Sequence, residues 1–343
     1  MRITRATFCR VAALFALLPT AIPVFSQEAD NERWFRVELM IFSHESASAA
    51  SAERWDPAPP LAYPPAGRFL IDNQLIEKNI SSYPTGDSVI DARGVQTITL
   101  PDDSPPAQDI PDIPRQEEPP DASSEVPSAQ IGDESEQLPL TPQPFTLRPL
   151  SELEFRGKAA YMQRTGRFKT LFHQTWLQPM RGEEQALPII IDRSGDEQNW
   201  PRLQGSVKLY LSRFLHIETN LWLNTDGNYL PADWLMPAPP LGPQSLIIIE
   251  PPAPLADDFF AARPEPELPV DDEGLPLVEE AGPIYGWRHA ILMDQKRRMR
   301  SNEVHYIDHP MLGVVVKLLP LTADELEDLA IADATLAEGD QSL

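Results

Sequence analysis

The sequence predicts an α+β fold: a curved antiparallel sheet with one or two packed helices, interrupted by Pro-rich acidic disordered inserts. Three observations predict it. Several runs alternate apolar and polar residues with a period of two, and one segment has a capped helical pattern. The third is that many of the 38 Pro fall in stretches where neither period survives.

The elements follow in chain order. Arg2, Arg5 and Arg10 form a positive start, and Val11 to Leu18 opens an apolar run too short to span a bilayer. Val24 and Ser26 are small residues at the −3 and −1 positions before Gln27, so residues 1–26 read as a cleaved export signal. The single cysteine, Cys9, lies inside that signal, which leaves the mature chain without disulfides, thiolate chemistry or Cys-based metal sites. Phe35, Val37, Leu39 and Ile41 then alternate with Arg36, Glu38 and Met40, a strand pattern. Five Pro between 57 and 65 mark a loop, and Val95 to Leu100 is a second strand candidate.

Residues 101–149 hold 11 acidic residues, 2 basic residues and 12 Pro, and residues 236–283 hold 10, 1 and 12. Such segments bury too little surface to offset their ordering entropy, and disorder is expected. Between them, Ser151 with Glu152 and Glu154 starts a helical pattern, in which Phe155, Ala159 and Met162 recur on one face to Arg164. Phe168 to Leu177 reads as a strand closed by Pro179. From Val207 to Leu223 the apolar residues sit on odd numbers, with Arg213 and Thr219 as the polar exceptions. That run is too long for one ordinary strand and predicts either a bulged strand or two strands sharing a face. Leu246 to Ile249 is a short apolar island suited to an edge strand. Glu303–Ile307 and Val314–Leu319 flank Asp308, His309, Pro310 and Gly313 as a hairpin. Thr322 and Glu325 have capping-box spacing before an acidic tail. The expected organisation is a signal peptide over 1–26 and one domain over 27–322. Inserts fall at about 101–149 and 236–283, and a tail at 323–343.

The net charge of −24 disfavours nucleic acid and anionic membrane surfaces as partners. No later apolar run reaches membrane length, so an exported chain without a membrane span is expected. No Gly-x-Ser-x-Gly elbow, phosphate-cradling glycine loop or His-Glu-x-x-His is present, and neither an enzyme nor a cofactor is expected.

The string Lys296-Arg297-Arg298-Met299-Arg300-Ser301-Asn302-Glu303-Val304-His305-Tyr306-Ile307-Asp308-His309-Pro310 resembles the signature of the CsiV-type peptidoglycan-binding family of exported Gram-negative proteins. Trp34 to Phe42, Leu171 to Pro179, and Gly205 to Trp222 agree with it in order. Asn302 stands where the pattern has Gly, and Leu177 where it has Arg. The resemblance implies a periplasmic, non-catalytic protein that binds peptidoglycan and supports wall assembly and cell shape alongside cell-wall synthesis proteins.

Candidate ligand contacts begin with Lys296, Arg297, Arg298 and Arg300, four cations within five positions of an acidic chain. Arg suits bidentate capture of carboxylates, in which peptidoglycan stem peptides are rich. The alternatives are a solvated face or an internal partner for the acidic inserts. Glu303, His305, Asp308 and His309 follow; their spacing fits side chains that pin a hairpin better than a metal site. Arg213 falls on apolar parity and so calls for a structural ion pair, while His216 lies on the opposite face. Trp176, Trp200, Trp222 and Trp234 suit core packing or sugar stacking, and Trp222, on polar parity, is the candidate expected to be exposed. Two other functions compete with wall binding: an adaptor whose acidic inserts engage other proteins, and a metal- or carboxylate-dependent wall hydrolase.

Overall fold

The computed structural model describes residues 32–45, 53–101, 141–231, 233–251 and 283–340, with side chains to 335. From Arg33 onward these residues belong to one unit. The expected signal peptide and most of both acidic stretches lie outside the described residues.

The α+β class holds, but three open sheets replace the single curved one. In the first, β1 (Trp34–His44) pairs on one side with β4 (Phe168–Pro179) and on the other with β11 (Leu312–Pro320), which pairs in turn with β10 (Val304–Asp308). The second sheet runs in the order β5 (Ile189–Ile190), β6 (Leu203–Leu211), β7 (Leu215–Thr225) and β9 (His289–Met299). A small sheet joins β2 (Asp87–Ile90), β3 (Gln96–Thr99) and β8 (Leu246–Ile249), with β3 and β8 parallel.

Alternation decides which faces meet. Val37, Leu39 and Ile41 of β1 with Val314, Val316 and Leu318 of β11 line one inner face. Val207, Leu209, Ile217, Leu221, Leu223, Ile291 and Met293 line the other. The two faces share one apolar cluster that includes the fully buried Trp176. The chain crosses between the sheets at Arg300–Glu303. There Asn302 has φ 61° and donates its backbone N–H to the Leu318 carbonyl at 2.7 Å. Glycine suits that left-handed position best and Asn tolerates it, so Asn302 keeps the turn where the resemblance leads one to expect Gly. Gly313 is fixed differently: a Cβ there would run into the Phe42 ring from the neighbouring strand.

The long odd-numbered run is two strands. β6 and β7 form a hairpin through Ser212, Arg213 and Phe214, with Leu211 paired to Leu215. Four α-helices among the described residues accompany the sheets: α1 (Asn73–Ser82), α2 (Arg156–Arg164), α3 (Ser194–Glu197) and α4 (Ala323–Asp340). Asp72 caps α1 through the N–H groups of Gln74 and Leu75. The Thr322–Glu325 capping box opens α4, with Thr322 N–H 2.8 Å from Glu325 Oε2. The expected helix from Ser151 instead begins as a 3₁₀ turn at Leu150–Glu152 and becomes α-helical at Arg156. No side chain of its own caps it; Glu38 of β1 accepts the N–H groups of Glu154 and Phe155, both at 2.9 Å.

The expected inserts are also shorter at two edges. Residues 141–149 bring Phe145 into the core, and residues 236–251 supply the buried Met236 and strand β8. Each edge carries apolar residues that find partners across the fold, a local fact that averaged composition conceals.

Candidate functional site

The outer face of the second sheet divides into two halves. Near Thr225, Pro-rich segments cover it: Leu61, Tyr63 and Met236 pack on Trp222, Ala290 and Leu292. Near the Arg213 turn it stays open and carries a lattice of charged and aromatic side chains. Even-numbered residues face outward here, and the register sets them in rows. Lys208, Glu218 and Lys296 form one row, and Tyr210, His216 and Arg298 the next.

The contacts within these rows are specific. Lys296 Nζ lies 2.8 Å from Glu218 Oε1 and 2.8 Å from Glu183 Oε1, and the Tyr210 hydroxyl donates to Glu218 at 3.1 Å. The hydrogen bond to Glu183 leads the effects that raise the Lys296 ammonium, and the same bond holds the Glu183 carboxyl below its usual range. Burial raises the Tyr210 phenol. His216 stacks on Tyr210 with centroids 5.0 Å apart, and its Nδ1 is enclosed without a hydrogen-bond partner among the described residues. Phe214, 41% exposed, lies beneath two guanidinium groups, Arg298 at 4.5 Å and Arg213 at 5.5 Å. Neither Arg has an ion pair among the described residues. Beside the rows runs a groove of about 320 Å³ lined by Pro64, Pro188, Ser206, Lys208, Asn220 and Asp294, among others.

The candidates from sequence thus divide. Lys296, Arg298, Arg213 and His216 come together on this face. Arg213 does so as the exposed tip of a turn, and the expected buried ion pair does not exist because the residue has left the strand. Trp222 is fully buried rather than exposed, and its indole N–H donates to Gln204 at 3.1 Å. The Pro-rich segments that cover it have no periodicity to announce them. Arg297 lies on the opposite face of β9, exposed and without an ion pair among the described residues.

The remaining candidates hold the β9–β10–β11 connections. Arg300 lies 3.5 Å from Glu303, and His305 Nε2 is 3.0 Å from both the backbone N and O of Arg300. Tyr306 donates to Asp308 at 2.6 Å, and His309 Nδ1 accepts the Met311 N–H at 3.2 Å. These bonds pin turns, as expected. Lys208, Tyr210, Glu218 and Phe214 are not among the candidates expected from sequence, although the first three sit at polar, even-numbered positions of the strand pattern, a usable signal. Glu183 comes from a loop that carries no such signal.

The family model of the CsiV peptidoglycan-binding proteins matches residues 11–321. The chain belongs to the CsiV family. No curated protein and no solved structure matches it. All the described candidates lie within the part that the CsiV family model covers. No helix among the described residues is long and apolar enough to cross a membrane.

At the opposite, Thr225 end of the sheets, a buried histidine and a half-buried one make stability depend on pH. His289 is fully buried, with Nδ1 accepting from the Tyr229 hydroxyl and Nε2 donating to the Asp56 carbonyl, both at 2.8 Å. Burial lowers its basicity, and burial likewise lowers that of His309. The unfolded chain therefore takes up protons first as pH falls below about 6.5. Melting temperature should be level above that pH and decline below it, toward the depressed folded values. His289→Gln should flatten the decline in thermal melts recorded from pH 7.5 to 5.

Proposed function

We propose that the exported chain acts in the periplasm as a non-catalytic peptidoglycan-binding protein and supports wall assembly and cell shape. Membership of a family described as peptidoglycan-binding supports the ligand. The observation that carries the site is the pair Arg213 and Arg298, two cations without an ion pair among the described residues, gathered over the exposed Phe214. Their guanidinium forks fit stem-peptide carboxylates, and the adjoining groove gives a polymer a second line of contact.

The test is co-sedimentation with insoluble sacculi. The protein should pellet with them, less so as salt rises. Arg213→Ala/Arg298→Ala should weaken binding about 30-fold, from about 1 kcal/mol for each exposed, screened contact. Arg297→Ala, on the other face, should leave it nearly unchanged. Sacculi incubated with the protein should release no muropeptides. A folded protein that stays in the supernatant would overturn the reading.

A separate observation favours an adaptor role as a second reading. β3 and β8 are parallel, and the Leu100 N–H donates to the Ile249 carbonyl at 2.9 Å, so both acidic stretches leave the fold side by side. Deleting residues 102–140 would then leave sacculus binding intact and abolish support of wall synthesis.

A further inference from the structure

A second cavity, of about 590 Å³, opens at the other end of the two large sheets. The first sheet contributes Glu45, just after β1, and Lys169 of β4, with Met311 from the β10–β11 turn. The second contributes Arg202, the Asn224–Tyr229 segment and Trp287. An ion pair spans the two walls, Arg202 Nη2 to Glu45 Oε1 at 2.7 Å.

Part of the lining is held rigid. The Trp287 indole N–H is committed to the Trp200 carbonyl at 2.9 Å. Asn224 donates to the Pro201 carbonyl at 2.6 Å and to Gln204 at 2.9 Å, and it accepts from the Tyr285 hydroxyl at 3.0 Å. The Tyr229 hydroxyl is held by Thr225 and His289. Other groups at the rim can serve a ligand: the exposed Asn228, Asp226 and Lys169 side chains have no hydrogen bond or ion pair among the described residues, and Lys169 contributes only a longer-range charge that helps hold the Glu45 carboxyl low. Charges on the lining balance, Lys169 and Arg202 against Glu45 and Asp226.

A fixed aromatic wall, a free amide, a carboxylate and cations without net charge match an uncharged, hydroxyl-rich ligand better than a carboxylate-rich peptide. The volume falls within the range of about 300–1,000 Å³ typical of small-molecule sites. We propose that this cavity binds a short saccharide segment, with a sugar ring against Trp287 and its hydroxyl and amide groups on Asn228, Asp226 and Lys169. That the saccharide is the glycan of the wall polymer rests on the function proposed above. The two ends of the molecule would then hold different parts of one polymer, glycan in the cavity and stem peptide on the Arg213–Arg298 face.

Calorimetric titration of the protein tests this with three probes: glycan strands stripped of stem peptides by an amidase, free stem peptides, and chitotetraose. Stripped strands should bind. Trp287→Ala should lower their affinity about tenfold. Lys169→Ala/Asn228→Ala, confined to exposed side chains without a hydrogen bond or ion pair among the described residues, should lower it several-fold. Neither variant should change the affinity for stem peptides, which Arg213→Ala/Arg298→Ala should reduce. A protein that pellets with sacculi yet binds no stripped strand overturns the cavity assignment, as does a Lys169→Ala/Asn228→Ala variant that binds strands like the parent. Binding of chitotetraose, lost in that variant, by a protein that does not pellet with sacculi would uphold the saccharide site and overturn the wall-binding function.

Discussion

Glu38→Ala is expected to lower the unfolding free energy by about 3–5 kcal/mol, seen as a melting temperature reduced by about 6–20 °C in calorimetry. Glu38 is 4% exposed, on the outer face of β1, and three donors converge on it: His173 Nε2 at 2.8 Å and the N–H groups of Glu154 and Phe155. The last two belong to the N-cap Phe155 and the residue before it, where α2 has no side-chain cap of its own, so a strand residue from far away in the chain anchors the entry to the helix. Removing the carboxylate leaves the buried Phe155 N–H and the partly buried His173 and Glu154 donors without their partner, and each buried loss costs about 1–3 kcal/mol before relaxation. Burial alone would raise the Glu38 carboxyl, but the His173 bond and the two backbone N–H groups outweigh it and hold the group below its usual range. Its contribution is therefore complete above the unfolded value of about 4.3 and is lost as pH falls through the folded one. The gap between parent and Glu38→Ala should close in melts at low pH. Glu38→Gln, which keeps the shape and one acceptor, should lie between the two. Equal melting temperatures for parent and Glu38→Ala at pH 7 would show that α2 needs no cap from the sheet.

What the sequence could and could not reveal follows from the reach of each interaction. Strand alternation is local, and β1 appears where period two predicts it, as β4, β10 and β11 do where apolar runs beside turn residues predict strands. The β6–β7 hairpin shows the limit. Leu211 pairs with Leu215, so its three-residue turn joins odd positions to odd positions, and the parity runs through without a break. Arg213 thus looked like a buried strand residue while standing at the tip of a turn. Trp222 failed the opposite test. Its even number placed it outward, and its burial comes from Tyr63 and Met236, distant in sequence and set in Pro-rich segments that resemble solvated linkers. Helix α1 is not expected from the sequence although its Asp72 cap is local, a carboxylate one residue before the helix, whereas the Glu38 contact at the start of α2 exists through tertiary structure alone. For the candidate site, Lys296, Arg298 and His216 were visible as polar outliers. That they share a face with Lys208, Tyr210 and Glu218 depends on the order β6-β7-β9, which alternation does not encode.

Trp222→Ala should cost about 3–5 kcal/mol, because it empties a large cavity under a covering layer that has few other apolar anchors. The ring meets Tyr63 edge-on at 4.9 Å and packs with Met236 and Ala290. Its N–H belongs to a polar network centred on Gln204. Gln204 Oε1 also accepts from Asn224 at 2.9 Å, and its amide donates to the Tyr63 hydroxyl at 3.0 Å and Ser194 Oγ at 3.1 Å. Asp192 closes the network, accepting from the same Tyr63 hydroxyl and from the Gly205 N–H. Since Gln204 Oε1 keeps a second donor, Trp222→Phe loses one neutral hydrogen bond and some volume and should cost only about 1–2 kcal/mol. Chemical denaturation of both variants separates the cavity from the hydrogen bond. The same pair separates structure from binding. If Trp222 holds the covering segments and touches no ligand, Trp222→Phe should sediment with sacculi like the parent. Phe214→Ala, which removes the exposed ring beneath Arg213 and Arg298, should bind more weakly at unchanged stability. Loss of sacculus binding in a folded Trp222→Phe would mean that the covered half of the sheet opens to the ligand, and the recognition surface would have to be extended beneath Tyr63.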